Sequence, residues 1–436
     1  MGSIAPNQAQ PTYKTPWVQT PLVESASLSR AAGCRIFLKL ENVQPSGSFK
    51  SRAMGNQILS HLLKPENANR PVHFYASSGG NAGLAAVCAA RSLGYPCTVV
   101  VPLSTKPLMV QKLRTAGASD VIQHGETFSE AGEYMRGVIM KDVDPCESAD
   151  VAKIALHPFD NEPIWEGNST IIDELVEQIP AVEEDEEENP VHAGRPLPVD
   201  AIVCSVGGGG LLNGLVMGIE RHRMRQKLLL SGAAYAPVEE NPVHILAVET
   251  KGTDSLAAAV AQKSLVSLSK ITSQATSLGA IRVSERTFQY ATAPPPGVAV
   301  HSAVFSDADA ARGVLRLADE ERLLVELACG VCVEAAVGDA EKARVGAKKR
   351  KREERDYPAH RDEGYGDDRS SATEVETESD EGSSSSSVAG FQSKLKQLVP
   401  GLNSQSRVVI VVCGGSNITI DMAAEWRKLL DEGWGN

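Results

Sequence analysis

The amino-acid sequence predicts an α/β protein whose parallel strands carry helices on both faces. Along the first two thirds of the 436 residues, short β-rich runs alternate with helix-like stretches, which is the order of βαβ units. Three strand-like runs end in glycine-rich turns, SSGGNAG, SVGGGG and CGGSN. Because ligands bind beyond the carboxyl ends of parallel strands, we expect the functional groups to lie at these turns.

Hydrophobic periodicity and turn residues define the predicted elements in order. Apolar, β-branched runs predict strands, and small-residue or amphipathic stretches predict helices. The predicted strands are Arg35–Glu41, Val72–Ser77, Cys97–Pro102, Ser119–Gly125, Ala201–Val206 and Arg407–Val412. The predicted helices are Ala53–Leu63, Asn81–Gly94, Lys106–Gly117 and Leu211–Arg225.

Two segments interrupt this alternation. Val182–Pro198 is acidic and contains prolines, which predicts a surface loop. The segment at about 341–406 has few apolar residues and a run of serines, so it buries too little surface to offset the cost of ordering, and we expect it to be mostly disordered. Its basic cluster KKRKREER is either a nuclear-import or nucleic-acid patch or a solvated charge run, and the second interpretation is favoured.

Composition excludes several classes of function. The formal net charge of −12 argues against nucleic acid or an anionic membrane surface as a partner. No apolar run reaches membrane-spanning length, and the first residues lack the pattern of a secretory signal. The eight cysteines are scattered, several within apolar runs, as buried free thiols are. We therefore expect a soluble cytoplasmic protein, and we expect the Cys329 and Cys332 pair to pack in the core rather than to carry redox chemistry.

The glycine run Gly207–Gly210 predicts a phosphate site. It follows the strand-like AIVCSV and opens a helix, so its backbone N–H groups can converge on an anion. The run lacks the Gly-Lys-Ser/Thr of a nucleotide-binding P-loop and the acidic residue of a dinucleotide site. A compact phosphate is favoured, although a flexible glycine turn is the simpler alternative.

Three further turns carry polar groups. In SSGGNAG, Ser78, Gly79 and Asn81 offer hydroxyl, amide and backbone N–H groups suited to a carboxylate, although an ordinary helix cap is equally compatible. Cys413 ends a strand without a basic neighbour in sequence, which favours a structural or weakly hydrogen-bonding thiol. Lys50 stands among small residues in PSGSFKSR. An amine, a phosphate loop and a carboxylate site together suit pyridoxal phosphate, which needs a Schiff-base lysine.

These segments resemble the L-serine/L-threonine dehydratases, fold-type II pyridoxal-phosphate enzymes related to tryptophan synthase β. PSGSFKSR, SSGGNAG, SVGGGGLLNG and VVCGGSN carry the resemblance in this order, and HPFDNEPIWEGNSTI, AVETKGTDS and SLSKITSQATSLGA extend it. The resemblance implies two open, twisted, mostly parallel sheets flanked by helices, with the cofactor between two domains. The large domain would comprise residues 1–52 and 165–436, and the small substrate-loop domain residues 53–164.

The resemblance also implies roles for individual residues. Lys50 would be the Schiff-base lysine and the base for the α-proton, and the cofactor phosphate would donate a proton to the leaving hydroxyl. The implied cofactor contacts are Phe49 on the ring, Asn81 on its 3′-oxygen, Gly207, Gly208, Gly209 and Gly210 on the phosphate, and Cys413 on the pyridine nitrogen. The implied substrate-carboxylate contacts are Ser78, Gly79 and Asn81. The implied ligands of a monovalent cation, K⁺, are Gly207, Glu249, Thr253, Ser255, Leu278 and Ala280.

The implied activity is the deamination of L-serine to pyruvate and ammonia, and of L-threonine to 2-oxobutyrate, by a homodimer. Within the same fold, a cysteine synthase-like β-replacement enzyme, a serine racemase or a threonine synthase would share Lys50 and the glycine loop. A non-catalytic binding protein that uses the charged insert is a further alternative. Leu327 stands where the family usually has proline.

Overall fold

The computed structural model describes residues 12–142, 150–180, 197–230, 241–338 and 393–435. The described strands are β1 Leu22–Glu24, β2 Arg35–Lys39, β3 Val72–Ala76, β4 Cys97–Val101, β5 Asp120–Gln123, β6 Ala152–Leu156, β7 Ala201–Ser205, β8 Val243–Thr250, β9 Val298–Phe305 and β10 Arg407–Val411. The described α-helices are α1 Ala26–Ala32, α2 Lys50–Leu62, α3 Asn81–Leu93, α4 Pro107–Ala116, α5 Phe128–Tyr134, α6 Glu162–Gln178, α7 Gly210–Leu230, α8 Ser255–Gln262, α9 Glu285–Thr292, α10 Asp307–Glu321, α11 327–338, α12 Lys394–Leu398 and α13 Ile420–Asp431.

The described strands form two sheets, as predicted. Six of them pair in the order β1-β2-β10-β7-β8-β9, and four pair in the order β5-β4-β3-β6. Every pairing is parallel except that of β1 with β2. Parallel strands need crossover connections, and helices between successive strands supply them. The prediction of an α/β fold with two mostly parallel sheets flanked by helices is therefore confirmed.

Each sheet has its own hydrophobic core. The first core contains buried residues of β2, β7, β8 and β10 together with α6, α7, α10 and α11. The second contains buried residues of β3 and β4 together with α2 and α3. Strands such as Ala201–Ser205 and Cys97–Val101 are buried along their whole length, which is why they read as continuous apolar runs rather than alternating ones. Helix α2 packs against both α3 and α6 and so joins the two halves.

Three sequence-based boundaries need correction. Helix α7 ends at Leu230 rather than at Arg225. Helix α2 begins at Lys50 rather than Ala53, because Phe49 already has helical dihedral angles and the small residues before it complete the turn. Within the predicted disordered segment 341–406, Lys394–Leu398 is a helix whose Leu395 is fully buried; Leu395 and Val399 return the chain to the first core.

Some predictions fall where the structure gives no account. Residues 182–196 of the predicted surface loop and residues 341–392 of the predicted disordered segment, with its basic cluster, lie outside the described residues. Leu197, near the end of the predicted loop, is fully buried in the first core. The domain boundaries at residues 52/53 and 164/165 stay a prediction. None of the described helices is both long and apolar enough to cross a membrane.

Candidate active site

Lys50 is held at the start of α2 by contacts with the turn that follows β10. The Phe49 N–H donates to the Cys413 carbonyl oxygen at 3.1 Å, and the Gly415 N–H donates to the Gly47 carbonyl oxygen at 2.9 Å. Gly47 has a φ of +77°, which glycine adopts without the strain that other residues would meet. These contacts hold Lys50 close to Cys413, which is 363 positions away in the sequence.

The Lys50 amine lies against the turn that follows β6. Its Nζ donates a hydrogen bond to the Pro158 carbonyl oxygen at 2.8 Å and lies 5.2 Å from the centre of the Phe49 ring. The Lys50 side chain is half-buried. This burial lowers the pKa of Lys50 to about 8, while the nearby Cys413 thiol acts in the opposite direction. A large fraction of the amine is therefore unprotonated in mildly alkaline solution.

The glycine run Gly207–Gly210 joins β7 to α7, a helix of 21 residues. A Cβ atom added at Gly208 would lie 2.1 Å from the Phe159 ring, and one added at Gly209, where φ is +93°, would lie 1.8 Å from Thr287 Oγ1. Neither position accommodates a side chain. The turn has backbone N–H groups and no side chains, and it leads into the N-terminus of a long helix. Both features suit an anion such as a phosphate group.

Asn81 is the first residue of α3, and both the oxygen and the nitrogen of its side-chain amide form hydrogen bonds. Its Oδ1 accepts the Ser416 N–H at 3.0 Å, and its Nδ2 donates to the buried Glu326 carboxylate at 3.2 and 3.3 Å. Asn81 therefore lies next to the Cys413 turn, where the resemblance places the cofactor ring.

Ser78 and Gly79 precede α3 in the turn after β3. The Ser78 hydroxyl accepts the Gly80 N–H at 3.4 Å. A Cβ atom at Gly79 would lie 2.8 Å from Thr105 Cγ2, so Thr105 fills the space beside this glycine. The turn offers a hydroxyl group and a helix N-terminus on the side of the four-stranded sheet, which together suit a carboxylate.

Cys413 follows β10 and is surrounded by other thiol and hydroxyl groups. Its Sγ lies 3.4 Å from Ser205 Oγ at the end of the neighbouring strand β7. A hydrogen bond from the Cys329 thiol lowers the pKa of Cys413, and burial raises the pKa of Cys329. Cys329 also accepts the Gly414 N–H at 3.1 Å. Cys329 and Cys332 are both buried in the first core, which confirms core packing for this pair.

The predicted cation ligands lie around the end of β8. A Cβ atom at Gly207 would be 3.3 Å from the Leu278 carbonyl oxygen. The Glu249 carboxylate accepts the N–H groups of Leu256 and Ala257, both at 2.8 Å, but burial raises the pKa of Glu249 to about 8.

The other predicted ligands follow Glu249 and Leu278 in the chain. Among the described residues no partner is found for the buried Ser255 Oγ. The Thr253 hydroxyl donates to the Thr250 carbonyl oxygen at 3.0 Å, and the Ala280 N–H donates to that of Leu278 at 2.7 Å. No cluster of three or more histidine, cysteine or acidic residues that could hold a metal is present in the described part of the chain.

The structure adds residues that the sequence does not reveal. Glu326 orients Asn81 and accepts the Asn417 N–H at 2.7 Å, and Ser205 contacts Cys413. Pro158 and Phe159 contact Lys50 and the glycine run through the turn after β6. All these contacts join residues that are far apart in the sequence. Only Glu326 has a local signal in the sequence, because its neighbour Leu327 stands where the family usually has proline.

An amine of lowered pKa, a helix N-terminus suited to an anion and a buried thiol meet where β7 and β10 end and α2 begins, and together they define a pyridoxal-phosphate-dependent enzyme. A side chain at Gly208 would collide with Phe159 and one at Gly209 with Thr287, so this turn stays free of side chains and its backbone N–H groups suit a phosphate group at the start of α7. The lysine amine can condense with an aldehyde because burial favours its neutral form. The cofactor chemistry needs little more from the protein than these groups and their orientation.

Comparison with known proteins agrees with this class. Residues 14–351 match the family model described as "Pyridoxal-phosphate dependent enzyme". A relative named L-serine dehydratase from Saccharomyces cerevisiae (strain AWRI1631) is 39% identical over 323 residues, which are 72% of this chain and 84% of the relative. L-serine dehydratase/L-threonine deaminase of Mus musculus is 36% identical over 73% of this chain and 82% of that protein.

A solved structure is similar over nearly the whole fold. The crystal structure of a fungal L-serine ammonia-lyase from Rhizomucor miehei superposes with a TM-score of 0.66 at 27% identity, covering 95% of this chain and 99% of that one. The chain belongs to the family of pyridoxal-phosphate-dependent enzymes. The predicted cofactor and the predicted fold type are thus confirmed.

Proposed function

We propose that this protein deaminates L-serine to pyruvate and ammonia, and L-threonine to 2-oxobutyrate and ammonia. The observation that carries the proposal is that the Lys50 amine and the glycine run both contact the turn after β6. Pro158 accepts a hydrogen bond from the amine at 2.8 Å, and Phe159 contacts Gly208. The names of relatives at 39% and 36% identity support the choice of substrate. In each reaction the substrate loses water, and hydrolysis of the resulting enamine releases ammonia.

Lys50 is the catalytic base in this proposal. Its amine takes the α-proton of the amino acid, and the lowered pKa of Lys50 makes the unprotonated amine available at a lower pH than for an exposed lysine. Ser78, Gly79 and Asn81 at the N-terminus of α3 bind and orient the substrate carboxylate. When bound, pyridoxal phosphate supplies an electron sink for the carbon that loses its proton.

The remaining residues hold the cofactor. Gly207–Gly210 bind its phosphate group, Phe49 packs on its ring, Asn81 binds its 3′-oxygen and Cys413 faces its pyridine nitrogen. A thiol is a much weaker acid than a carboxylic acid. Cys413, with Ser205 as its neighbour at 3.4 Å, therefore offers that nitrogen a thiol in place of a carboxylate.

A monovalent cation, K⁺, is proposed beside the phosphate site. Its ligands would be Gly207, Glu249, Thr253, Ser255, Leu278 and Ala280. Gly207 lies close to the Leu278 carbonyl oxygen, and Ser255 Oγ has no hydrogen-bond partner within the described part of the chain. Both features support this site, because such cations prefer several oxygen ligands. Exchange of K⁺ for tetramethylammonium should lower activity in the wild type and have less effect in Glu249→Gln.

A homodimer in the cytoplasm completes the proposal. Both expectations come from the resemblance to the dehydratases and from the scattered thiols. Light scattering of the purified protein tests the first, because a dimer has twice the mass of the 46.3 kDa chain. Fluorescence microscopy of the tagged full-length protein tests the second.

One set of assays separates the candidate activities. Purified protein with pyridoxal phosphate is incubated with L-serine or L-threonine, and pyruvate, 2-oxobutyrate and D-serine are measured; a parallel reaction contains O-acetylserine and sulfide. Pyruvate from L-serine, abolished in Lys50→Ala and retained in the surface variant Lys428→Ala, is the expected result. D-serine alone would identify a racemase, and cysteine alone a β-replacement enzyme. No product, or full activity in Lys50→Ala, would overturn the assignment.

A further inference from the structure

The turn 157–160 between β6 and α6 touches both functional parts of the site. The Pro158 carbonyl oxygen accepts the hydrogen bond from Lys50 Nζ at 2.8 Å. The Phe159 ring lies against Gly208, and the Phe159 carbonyl oxygen accepts the Trp165 Nε1–H at 3.0 Å. A shift of this short turn would therefore move the neighbours of the amine and of the phosphate site together.

His157 closes the turn through a single ring nitrogen. Its Nδ1 accepts the Phe159 N–H at 3.3 Å and the Asp160 N–H at 2.8 Å. A ring nitrogen that accepts hydrogen bonds carries no proton, so these contacts assign the neutral ring with its proton on Nε2. The arrangement is the one that an Asn or Asp side chain makes when it caps a helix or closes an Asx turn.

The backbone of His157 is anchored to the helix that carries Lys50. Gln57, buried in α2, pairs its side-chain amide with the N–H and the carbonyl oxygen of His157, both at 3.2 Å, in the amide orientation that gives each atom a complementary partner. The beginning of the turn is thus fixed on α2 by Gln57. Its later residues are held by the His157 ring and by the Trp165 contact with the Phe159 carbonyl oxygen.

We propose that His157 is a positioning residue whose neutral ring holds the turn 157–160 in the conformation that places Pro158 against the Lys50 amine and Phe159 against the glycine run. Protonation of Nδ1 would replace an acceptor by a donor that faces two N–H groups. Both hydrogen bonds would then be lost, and the turn would open. The proposal rests on the proposed function only for its kinetic readout.

The surroundings of the ring set the direction of its pH dependence. His157 is exposed to solvent, yet partial desolvation of its ring lowers the pKa of His157; Asp160 acts in the opposite direction, and Lys50 and Arg136 lower the pKa further. The folded state therefore favours the neutral ring. The contacts are complete above the ordinary histidine pKa of about 6.5 and are lost as the pH falls through the lowered value.

Two substitutions separate the hydrogen-bond acceptor from its titration. In His157→Asn, Oδ1 can accept the same two N–H groups but does not titrate between pH 4 and 9. In His157→Ala the acceptor is absent at every pH. His61→Asn is the matched control, since His61 is half-buried with a lowered pKa of its own and lies near the far end of α2.

Hydrogen exchange of the apoprotein is the first measurement, and it does not depend on activity. Peptides that span residues 157–161 are compared between variants at the same pH, so that the intrinsic exchange rates of their shared residues cancel. We expect wild type and His61→Asn to lose protection below the His157 pKa, His157→Asn to stay protected, and His157→Ala to exchange about tenfold faster throughout.

The acidic limb of kcat/KM for L-serine and the affinity for pyridoxal phosphate are the second measurements. We expect His157→Ala to bind the cofactor about tenfold more weakly. We expect His157→Asn to keep the wild-type affinity, and one titrating group to disappear from the acidic limb of its kcat/KM profile. Equal exchange in His157→Ala and wild type, or equal damage in His157→Asn and His157→Ala, would overturn the proposal. If no variant, wild type included, acts on L-serine but the exchange pattern holds, the proposed function fails and the positioning role stands.

Discussion

At the scale of single residues, the environment of Lys50 determines the pH at which the protein can take up its cofactor. Burial lowers the pKa of this amine from 10.5 to about 8, and only the unprotonated amine condenses with an aldehyde. We expect the rate at which the apoprotein captures pyridoxal phosphate, followed by absorbance, to rise with pH and to level off above about 8. A midpoint near 10.5 would contradict the buried environment, and Lys50→Ala should capture none covalently at any pH.

Glu326 is the second residue with a testable role. Its carboxylate accepts hydrogen bonds from Asn81 Nδ2 at 3.2 Å and from the Asn417 N–H at 2.7 Å, so Glu326→Ala leaves two donors without this partner. Losing such contacts costs about 1–3 kcal/mol. We expect the cofactor dissociation constant of Glu326→Ala, measured by equilibrium dialysis, to rise about tenfold or more.

Glu326→Gln and Glu425→Ala are the controls for this prediction. Glutamine keeps one carbonyl oxygen as an acceptor, so its effect should be smaller than that of alanine. Glu425 is exposed on α13, and its replacement should leave cofactor affinity unchanged. Equal affinity in Glu326→Ala and wild type would mean that Asn81 is positioned without Glu326.

The sequence predicts the site residues that lie at strand-to-helix junctions and leaves out those that act across the fold. Lys50, Asn81, Gly207–Gly210 and Cys413 stand in turns whose composition is unusual in itself. His157 is instead an ordinary residue at the end of a strand, and its significance depends on where two backbone N–H groups fall in three dimensions. Glu326 is paired with a residue 245 positions away, which a local pattern does not encode.

At the scale of elements, the turn from β7 to α7 is the most constrained segment of the site. Gly209 has a φ of +93°, and a Cβ atom there would lie 1.8 Å from Thr287 Oγ1. Gly209→Ala adds backbone strain of roughly 1–2 kcal/mol to this collision. We expect it to weaken cofactor binding by about tenfold or more, as measured by fluorescence titration.

Gly137→Ala is the matched control for Gly209→Ala. Nothing lies within 4 Å of a Cβ atom at Gly137, and alanine favours helical backbone over glycine. Cofactor affinity should therefore stay at the wild-type value in this variant. If the two alanine variants bound the cofactor equally well, the glycine run would not be the phosphate site.

A buried ion network connects β2, α2 and α6 beneath Lys50. Arg52 donates to Glu41 at 2.7 Å and to Glu174 at 2.5 Å, and Lys39 donates to Glu174 at 2.5 Å. The side chains of Arg52, Glu41 and Lys39 are fully buried. Removing one member leaves an uncompensated charge in the interior, which costs roughly 3–5 kcal/mol.

Arg52→Ala should therefore lower the free energy of unfolding in urea by roughly 3–5 kcal/mol. Arg35→Ala provides the comparison, because Arg35 forms a two-bonded ion pair with Glu24 at 3.0 Å that is partly exposed and is worth about 0–1 kcal/mol. Similar losses in both variants would show that burial adds nothing to the network.

The order of the elements was predictable, but some of their ends were not. The strands Val72–Ala76 and Ala201–Ser205 agree with the sequence within one residue, because both are buried on both faces and bounded by turn residues. The start of α2 lies three residues before the predicted one, because the small residues of PSGSFKSR indicate a turn, whereas the chain is already helical at Phe49. Leu395 lies in a polar stretch, and its burial depends on a core assembled from distant strands.

At the scale of the whole molecule, the site is assembled from both halves. Lys50 lies on α2, which packs against helices of both cores. Gly207–Gly210 follow a strand of the six-stranded sheet, and Asn81 follows a strand of the four-stranded sheet. Strand-helix alternation predicts parallel sheets but not how strands divide between them. The division into two sheets came from the resemblance, because strand order is set by long-range pairing.

This arrangement predicts that the cofactor stabilises the protein as a whole. A ligand that binds only the folded state adds about 2.7 kcal/mol at a concentration one hundred times its dissociation constant. Because pyridoxal phosphate would contact Lys50, the glycine run and Asn81 at once, both halves should gain from its binding. We expect the melting temperature, measured by calorimetry, to rise by a few degrees in the holoprotein.

Lys50→Ala tests whether this stabilisation passes through the amine. The variant keeps the glycine run and Asn81, so it should retain a part of the shift through phosphate and ring contacts but lose the contribution of the covalent bond. Lys428→Ala, on the exposed face of α13, should show the full wild-type shift. Stabilisation by inorganic phosphate alone, at the same concentration in wild type and Lys50→Ala, would measure the glycine run separately. An equal shift by pyridoxal phosphate in wild type and Lys50→Ala would mean that Lys50 does not join the two halves through the cofactor.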